Sequence, residues 1–172
     1  MAIYALDDLV PSIDPTAWVH PEAVIIGAVT IGPESSVWPC AVLRADSAPI
    51  TIGAQTSVQD GVVIHVASGL PTVIGSRVTL GHVCHLEGST VEDDALIGVN
   101  SVVLHRAVIG RGAIVGAGAV VTADTIVPAG AMALGVPAKI KENAAPVGFS
   151  TPNVQTYIEH ARRYPTALRR LD

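Results

Sequence analysis

Two histidines, His65 and His82, stand on a background of valine, isoleucine, leucine and glycine with few other polar groups nearby. Around them, between Leu43 and Val91, lie Arg44, Asp46, Gln59, Asp60 and Glu87. Two imidazoles and a glutamate form a known catalytic zinc set, which leaves the fourth position for water. His65, His82 and Glu87 are therefore the candidate metal ligands. Arg44, Asp46, Gln59 and Asp60 are candidate polar partners. Arg44, Asp46 and Asp60 suit an ion-pair network at an interface equally well.

The background that must position these residues repeats every six. Ile13, Val19, Ile25, Ile31, Val37 and Leu43 fall in step. Three extra residues precede Ile52, Val58 and Ile64, and four precede Ile74, Leu80 and Leu86. One residue is missing before Val91; then Ile97, Val103, Ile109, Val115, Val121 and Val127 continue in step. A period of six fits neither a helix nor a lone amphipathic strand. It marks an all-β solenoid, a parallel β-helix in which each unit makes one strand and turn of a three-sided prism. Nineteen units at three per coil predict about six coils. Aromatics make up only 3% of a chain that is 49% hydrophobic, as a narrow aliphatic interior requires. The extra residues, over 45–51 and 66–73, must bulge outward beside the polar cluster, because a stacked core cannot absorb them.

The phase of the repeat sorts the polar residues into columns. Residues just after an inward aliphatic point outward, and residues three units apart stack about 4.8 Å from each other. Arg44, His65 and Glu87 share one such column, continued by Ile26, Leu104 and Thr122. Asp60 stacks beneath His82 on the neighbouring face. A metal joining His65 and Glu87 to His82 therefore calls for a second chain. A three-fold homotrimer, which sets one face against the next face of its neighbour, supplies it. His85, on the far side of inward Leu86 from Glu87, offers another nitrogen; its plainer reading is an exposed polar residue. His20, His105 and His160 read as surface histidines.

After Val127 the period fades into a stretch rich in Gly and Pro. Residues 151–171 read as a helix with Thr151 as N-cap, Pro152 at the first position and a kink or break after Tyr164 at Pro165. Tyr157, Ile158, Ala161 and Tyr164 lie on one of its faces. The expected division is a β-helix domain over 1–145 and a C-terminal helix over 146–172 packed on the solenoid. A net charge of −5 without a basic cluster before the C-terminus argues against nucleic acid. Cys40 and Cys84 read as buried thiols rather than a disulfide framework. Neither a basic leader followed by an apolar run nor a stretch of about 20 apolar residues is present, so no membrane role is expected and the reading is of a cytoplasmic protein.

The runs VLRAD (42–46), SVQDG (57–61), VIH (63–65), VTLGH (78–82), LIG (96–98) and LGVPAK (134–139) resemble the gamma-class carbonic anhydrases and their close relatives. The resemblance spans Ile13 to Lys139 and implies a trimer of left-handed β-helices with zinc between subunits. It implies zinc-hydroxide hydration of CO2 to bicarbonate, with His65 as first ligand and His82 donated by a neighbour. Glu87 stands where the family pattern GHxxxLHG carries its third histidine. Arg44 and Asp46 match an RGD-like motif making polar contacts across the interface, with Ala45 in place of its glycine. Gln59 and Asp60 match residues near the metal, and Asn100 and Tyr157 or Tyr164 match positions around them. An anionic ligand in place of an imidazole should stabilise bound hydroxide less and slow hydration near neutral pH. It also makes Fe or another harder divalent metal less surprising than imidazoles alone would. The same resemblance leaves open a non-catalytic metal-binding trimer, or an acyl-CoA thioesterase or acyltransferase type of hexapeptide protein.

Overall fold

The computed structural model describes residues 2–172 and has a left-handed parallel β-helix followed by one helix. Each six-residue unit contributes one inward aliphatic side chain, and every such residue from Ile25 to Val127 is buried to 2% exposure or less. Burying each contributes roughly 1.5–3 kcal/mol, so the repeat is itself the core. Small residues fill the prism corners between them: Ala23, Ala41, Val62, Cys84, Ser101 and Ala119 form one buried row. No aromatic ring fits this interior, which is the physical reason for the chain's composition.

Strand pairing builds three faces. The first stacks Ile25, Leu43, Ile64, Leu86, Val103 and Val121 as inward residues, with the exposed Ile3 in register with Ile25 at its open end. The second stacks Ile13, Ile31, Ile52, Ile74, Val91, Ile109 and Val127. The third stacks Val19, Val37, Val58, Leu80, Ile97, Val115 and Ala133. Seven coils result, one more than the period indicates. The added units are Ala2–Tyr4, set off from Ile13 by a turn at Leu6 and Leu9, and Met132–Leu134, where alanine replaces the aliphatic. An antiparallel strand, Lys139–Lys141, pairs with Met132–Leu134 at the far end of the third face.

The extra residues all hang from the corner between the first and second faces. Within the strand Val42–Ile52 the register jumps from Gly27↔Ala45 to Val29↔Ile50, leaving 46–49 outside the ladder. One coil later, Ala67 and Leu70 close a small turn. Both bulges lie beside the outward column of Arg44, His65 and Glu87.

The helix α1, Thr151–Ala167, covers the third face, with Val154, Ile158 and Ala161 buried against it. Its start differs from the expected Thr151 cap: Ser150 is the N-cap, and its hydroxyl donates to the Asp94 carbonyl (2.8 Å) instead of capping the helix. Pro165 does not end it after Tyr164. It costs only the bond to the Ala161 carbonyl, and the next turn closes through the Leu168 N–H to the Tyr164 carbonyl (2.9 Å). The helix stops at Ala167, short of residue 171. Among the described residues, no helix is long and apolar enough to cross a membrane.

Candidate metal centre

Two polar clusters emerge within one chain. The first sits on the outer side of the first face. Register pairs Ile26 with Arg44 and His65 with Glu87, so the column expected from the repeat exists. Asp46, at the mouth of the bulge, binds the Arg44 guanidinium and reaches His65 Nε2 at 3.2 Å. His65 Nδ1 lies 3.7 Å from Glu87 Oε1. His65 is thus flanked by a carboxylate at each ring nitrogen. Burial pushes the Asp46 carboxyl up, but the His65 hydrogen bond and the charges of Arg44 and His65 outweigh it and leave it below its ordinary value.

Glu87 has more partners than the repeat foretells. His105 Nε2 lies 3.2 Å from Oε1, and His85 Nε2 lies 3.5 Å from Oε2. His105 is therefore no isolated surface histidine; it follows Leu104, the column residue directly above Glu87. Burial raises the Glu87 carboxyl, yet the contacts to His105, His85 and His65 together lower it. Beneath these side chains the fully buried Thr72 braces two backbones: its hydroxyl donates to the His65 carbonyl (2.6 Å) and accepts from the Gly88 N–H (2.9 Å).

The second cluster occupies the corner between the third and first faces. His82 Nδ1 lies 3.0 Å from Asp60 Oδ2. The Tyr157 hydroxyl, from α1, lies 3.5 Å from His82 Nε2. Burial, with the neighbouring Asp60 charge, raises the Tyr157 phenol. Gly81 sets the approach of this corner to the coil above, since a Cβ there would lie 2.8 Å from the Ile97 carbonyl oxygen. Gln59, directly below Gly81 in the stack, is buried. Asn100 takes the left-handed turn conformation (φ 56°), and its N–H donates to the His82 carbonyl (2.9 Å); its exposed side chain joins neither cluster.

Among the described residues of one chain, no three His, Cys, Asp or Glu side chains form a metal-binding group. His65 and Glu87 are brought together; His82 is not brought to them. Two further expectations change. Cys40 is exposed in a left-handed turn, whereas Cys84 is buried and its thiol is pushed up to about 12 by burial. His160 packs with Trp38, Tyr157 and Tyr164 rather than lying free on the helix surface. Trp18 and Trp38, absent from the motif reading, dock the helix that carries Tyr157; two tryptophans outside the aliphatic period were the available signal.

The bacterial transferase hexapeptide (six repeats) family model matches residues 88–123. The chain is 39% identical over 163 residues to the mitochondrial gamma carbonic anhydrase 2 of Arabidopsis thaliana, covering 90% of this chain and 59% of that protein. It is 37% identical over 139 residues to the carnitine operon protein CaiE of a Proteus species, covering 81% and 71%. It superposes on the crystal structure of a hexapeptide transferase family protein from Anaplasma phagocytophilum with a TM-score of 0.90 at 35% identity, covering 95% and 98%. The chain belongs to the gamma carbonic anhydrase-like family of hexapeptide-repeat β-helix proteins. It spans little more than half the length of several curated relatives that it matches.

Proposed function

We propose that three copies of this chain surround a three-fold axis and hold a divalent metal ion, zinc first, at each interface. His65 and Glu87 of one chain and His82 of the next bind it, and the assembly hydrates CO2 to bicarbonate. The observation that carries this reading is the split of the donors within one chain. His65 and Glu87 share one outward column, while His82 stands at a different corner with its Nδ1 engaged by Asp60. The donor set suits the metal: two imidazoles, each held by a carboxylate, plus one carboxylate. Bound zinc would polarise water and supply hydroxide near neutral pH. Asp60 fixes the His82 tautomer, Asp46 orients His65, and Arg44 holds Asp46. The partly exposed Val24, Val42, Val63, Val102 and Val120 flank the cluster, and a neighbouring chain over them would exclude water.

Mixed trimers test the sharing directly. His65→Ala and His82→Ala chains should each bind no metal alone. Combined in equal amounts they should regain about a quarter of the sites, since one ordered chain pair in four restores a full ligand set. Failure to regain any site, with trimers intact, sinks the shared centre. Stopped-flow CO2 hydration at the buffer rate over about pH 6–9 sinks the reaction while leaving the centre.

One observation favours a second reading. His82, oriented by Asp60, has the form of a general base, and the Anaplasma relative is described as a transferase. Acyl transfer from, or hydrolysis of, acyl-CoA would use that pair. Retention of the trimer on immobilised CoA supports this reading, and passage without delay removes it.

A further inference from the structure

Glu87 differs physically from the histidine it stands in for. A glutamate has an extra rotatable bond and carries its charge at the end of a flexible chain, so holding it in one place costs more conformational freedom. The first face carries a device that meets this cost. His105 Nε2 approaches Glu87 Oε1 at 3.2 Å from the coil above, and His85 Nε2 approaches Oε2 at 3.5 Å along the same strand. His105 lies beside Gly88, which has a left-handed φ of 56°. A Cβ on Gly88 would lie 3.4 Å from His105 Cδ2 and 3.2 Å from Leu70 Cβ, so the glycine sits close under both side chains. The backbone beside it is also fixed, with the Arg106 N–H donating to the Gly88 carbonyl (2.7 Å). Thr72 ties Gly88 to the His65 carbonyl from below. Side chain and backbone are therefore held from separate directions.

We infer that His105 is a positioning residue for Glu87: its Nε2–H donates to Oε1 and presets the carboxylate as a metal ligand. The inference rests on the metal centre proposed above and deepens it. His105 does not touch the metal; it acts through the carboxylate, as partners behind metal ligands commonly do. The pairing explains how a site built for an imidazole accepts a glutamate without losing order. Gly88, Thr72 and His105 then form one unit whose purpose is the orientation of a single side chain.

Zinc affinity of the full-length trimer, measured by chelator competition, tests it together with the visible spectrum of the cobalt-substituted protein. His105→Leu should weaken zinc binding about 10–100-fold and shift the cobalt bands, with trimer mass and melting temperature unchanged. His105→Gln, which keeps an N–H donor, should bind within a few-fold of the original chain. In a Glu87→His background, His105→Leu should have little effect, because the carboxylate it positions is gone. Equal zinc affinity in His105→Leu and the original chain overturns the inference while the centre stands. Persistence of the loss in the Glu87→His background also overturns it, since His105 would then act without Glu87. An original chain that binds neither zinc nor cobalt removes both the centre and this role.

Discussion

The third face and the first face of the prism meet opposite fates. On the third, Trp18 and Trp38 project outward and the chain's own helix closes over them. Ring centroids lie 5.3 Å apart for Trp18 and Tyr164 and 5.2 Å for Trp38 and Tyr157. There Asn153 Nδ2, on the helix, donates to Thr79 Oγ1 of the face beneath it (3.2 Å). On the first face, Val24, Val42, Val63, Val102 and Val120 form an outward, partly exposed ladder with His85 between Val63 and Val102, and the helix α1 does not pack on it. One face completes the fold; the other is the surface that a second copy would cover in the proposed assembly. A clustered apolar face with polar residues in it marks an interaction site more than a chance exposure.

The strongest way to break this comparison is a charge on the bare face. Val63 is 37% exposed in the single chain, and Val63→Lys should leave that chain folded. An unpaired charge buried between copies costs about 3–5 kcal/mol. Association should then weaken by at least ~100-fold. Sedimentation equilibrium should find monomers with an unchanged circular dichroism spectrum, and bound metal should fall with the trimer. An intact trimer would show that the face is not the interface.

The closed face should respond in the opposite sense. Trp38 is 4% exposed and touches Trp18, Tyr157 and Tyr164. Trp38→Ala should destabilise the fold by about 3–5 kcal/mol and loosen the helix, while the association state at low temperature stays the same. Chemical unfolding followed by gel filtration separates the two effects. Loss of assembly in this variant would mean that the helix face also contributes to the interface.

Within the bare face, Glu87 can be exchanged for the histidine that the resemblance implies at this position. Glu87→His removes one negative charge from the centre. The pH midpoint of CO2 hydration should fall by about 1 unit, and the rate near neutral pH should rise. A pH–rate profile of both proteins, loaded with zinc to equal occupancy, measures it. An unmoved midpoint would mean that Glu87 does not set the charge at the reacting position.

Much of this arrangement was legible because parallel pairing leaves the repeat no freedom. Once Leu43, Ile64 and Leu86 all point inward, Arg44, His65 and Glu87 must stack, and Asp60 must lie under His82. What escaped notice is whatever depends on reach rather than phase. His105 reaches Glu87 from beside Gly88, a contact that no period encodes. Ile3 joins the first face although ten residues separate it from Ile13, since its turn spans the corner that also takes the later bulges. Helix termination depended on tertiary support: a proline in the last turns loses one hydrogen bond, and the packing of Tyr164 on both tryptophans retains the helix.

The smallest effect concerns the junction through which the closed face is reached. Asp93 and Asp94 lie on the corner between the second and third faces, paired with Arg77 and Arg111, and the Asp94 carbonyl accepts the hydroxyl of the helix N-cap Ser150. The hydrogen bond from the Ser76 N–H, with Arg111 and Arg77, holds the Asp93 carboxyl below its ordinary value; Arg77, with Arg111, does the same for Asp94. A carboxyl lowered in the folded state stabilises fully above the ordinary carboxylate range. That stability is lost as pH falls through the lowered folded-state values. These pairs are partly exposed, so Arg77→Met should cost only ~0.2–1 kcal/mol at neutral pH. The difference from the original chain should vanish at a second pH, below the lowered folded-state values, where both aspartates are protonated in either protein. Urea unfolding at the two pH values measures it. A difference that persists in acid would assign Arg77 a packing role in place of an ionic one, and the helix junction would then rest on shape rather than on charge.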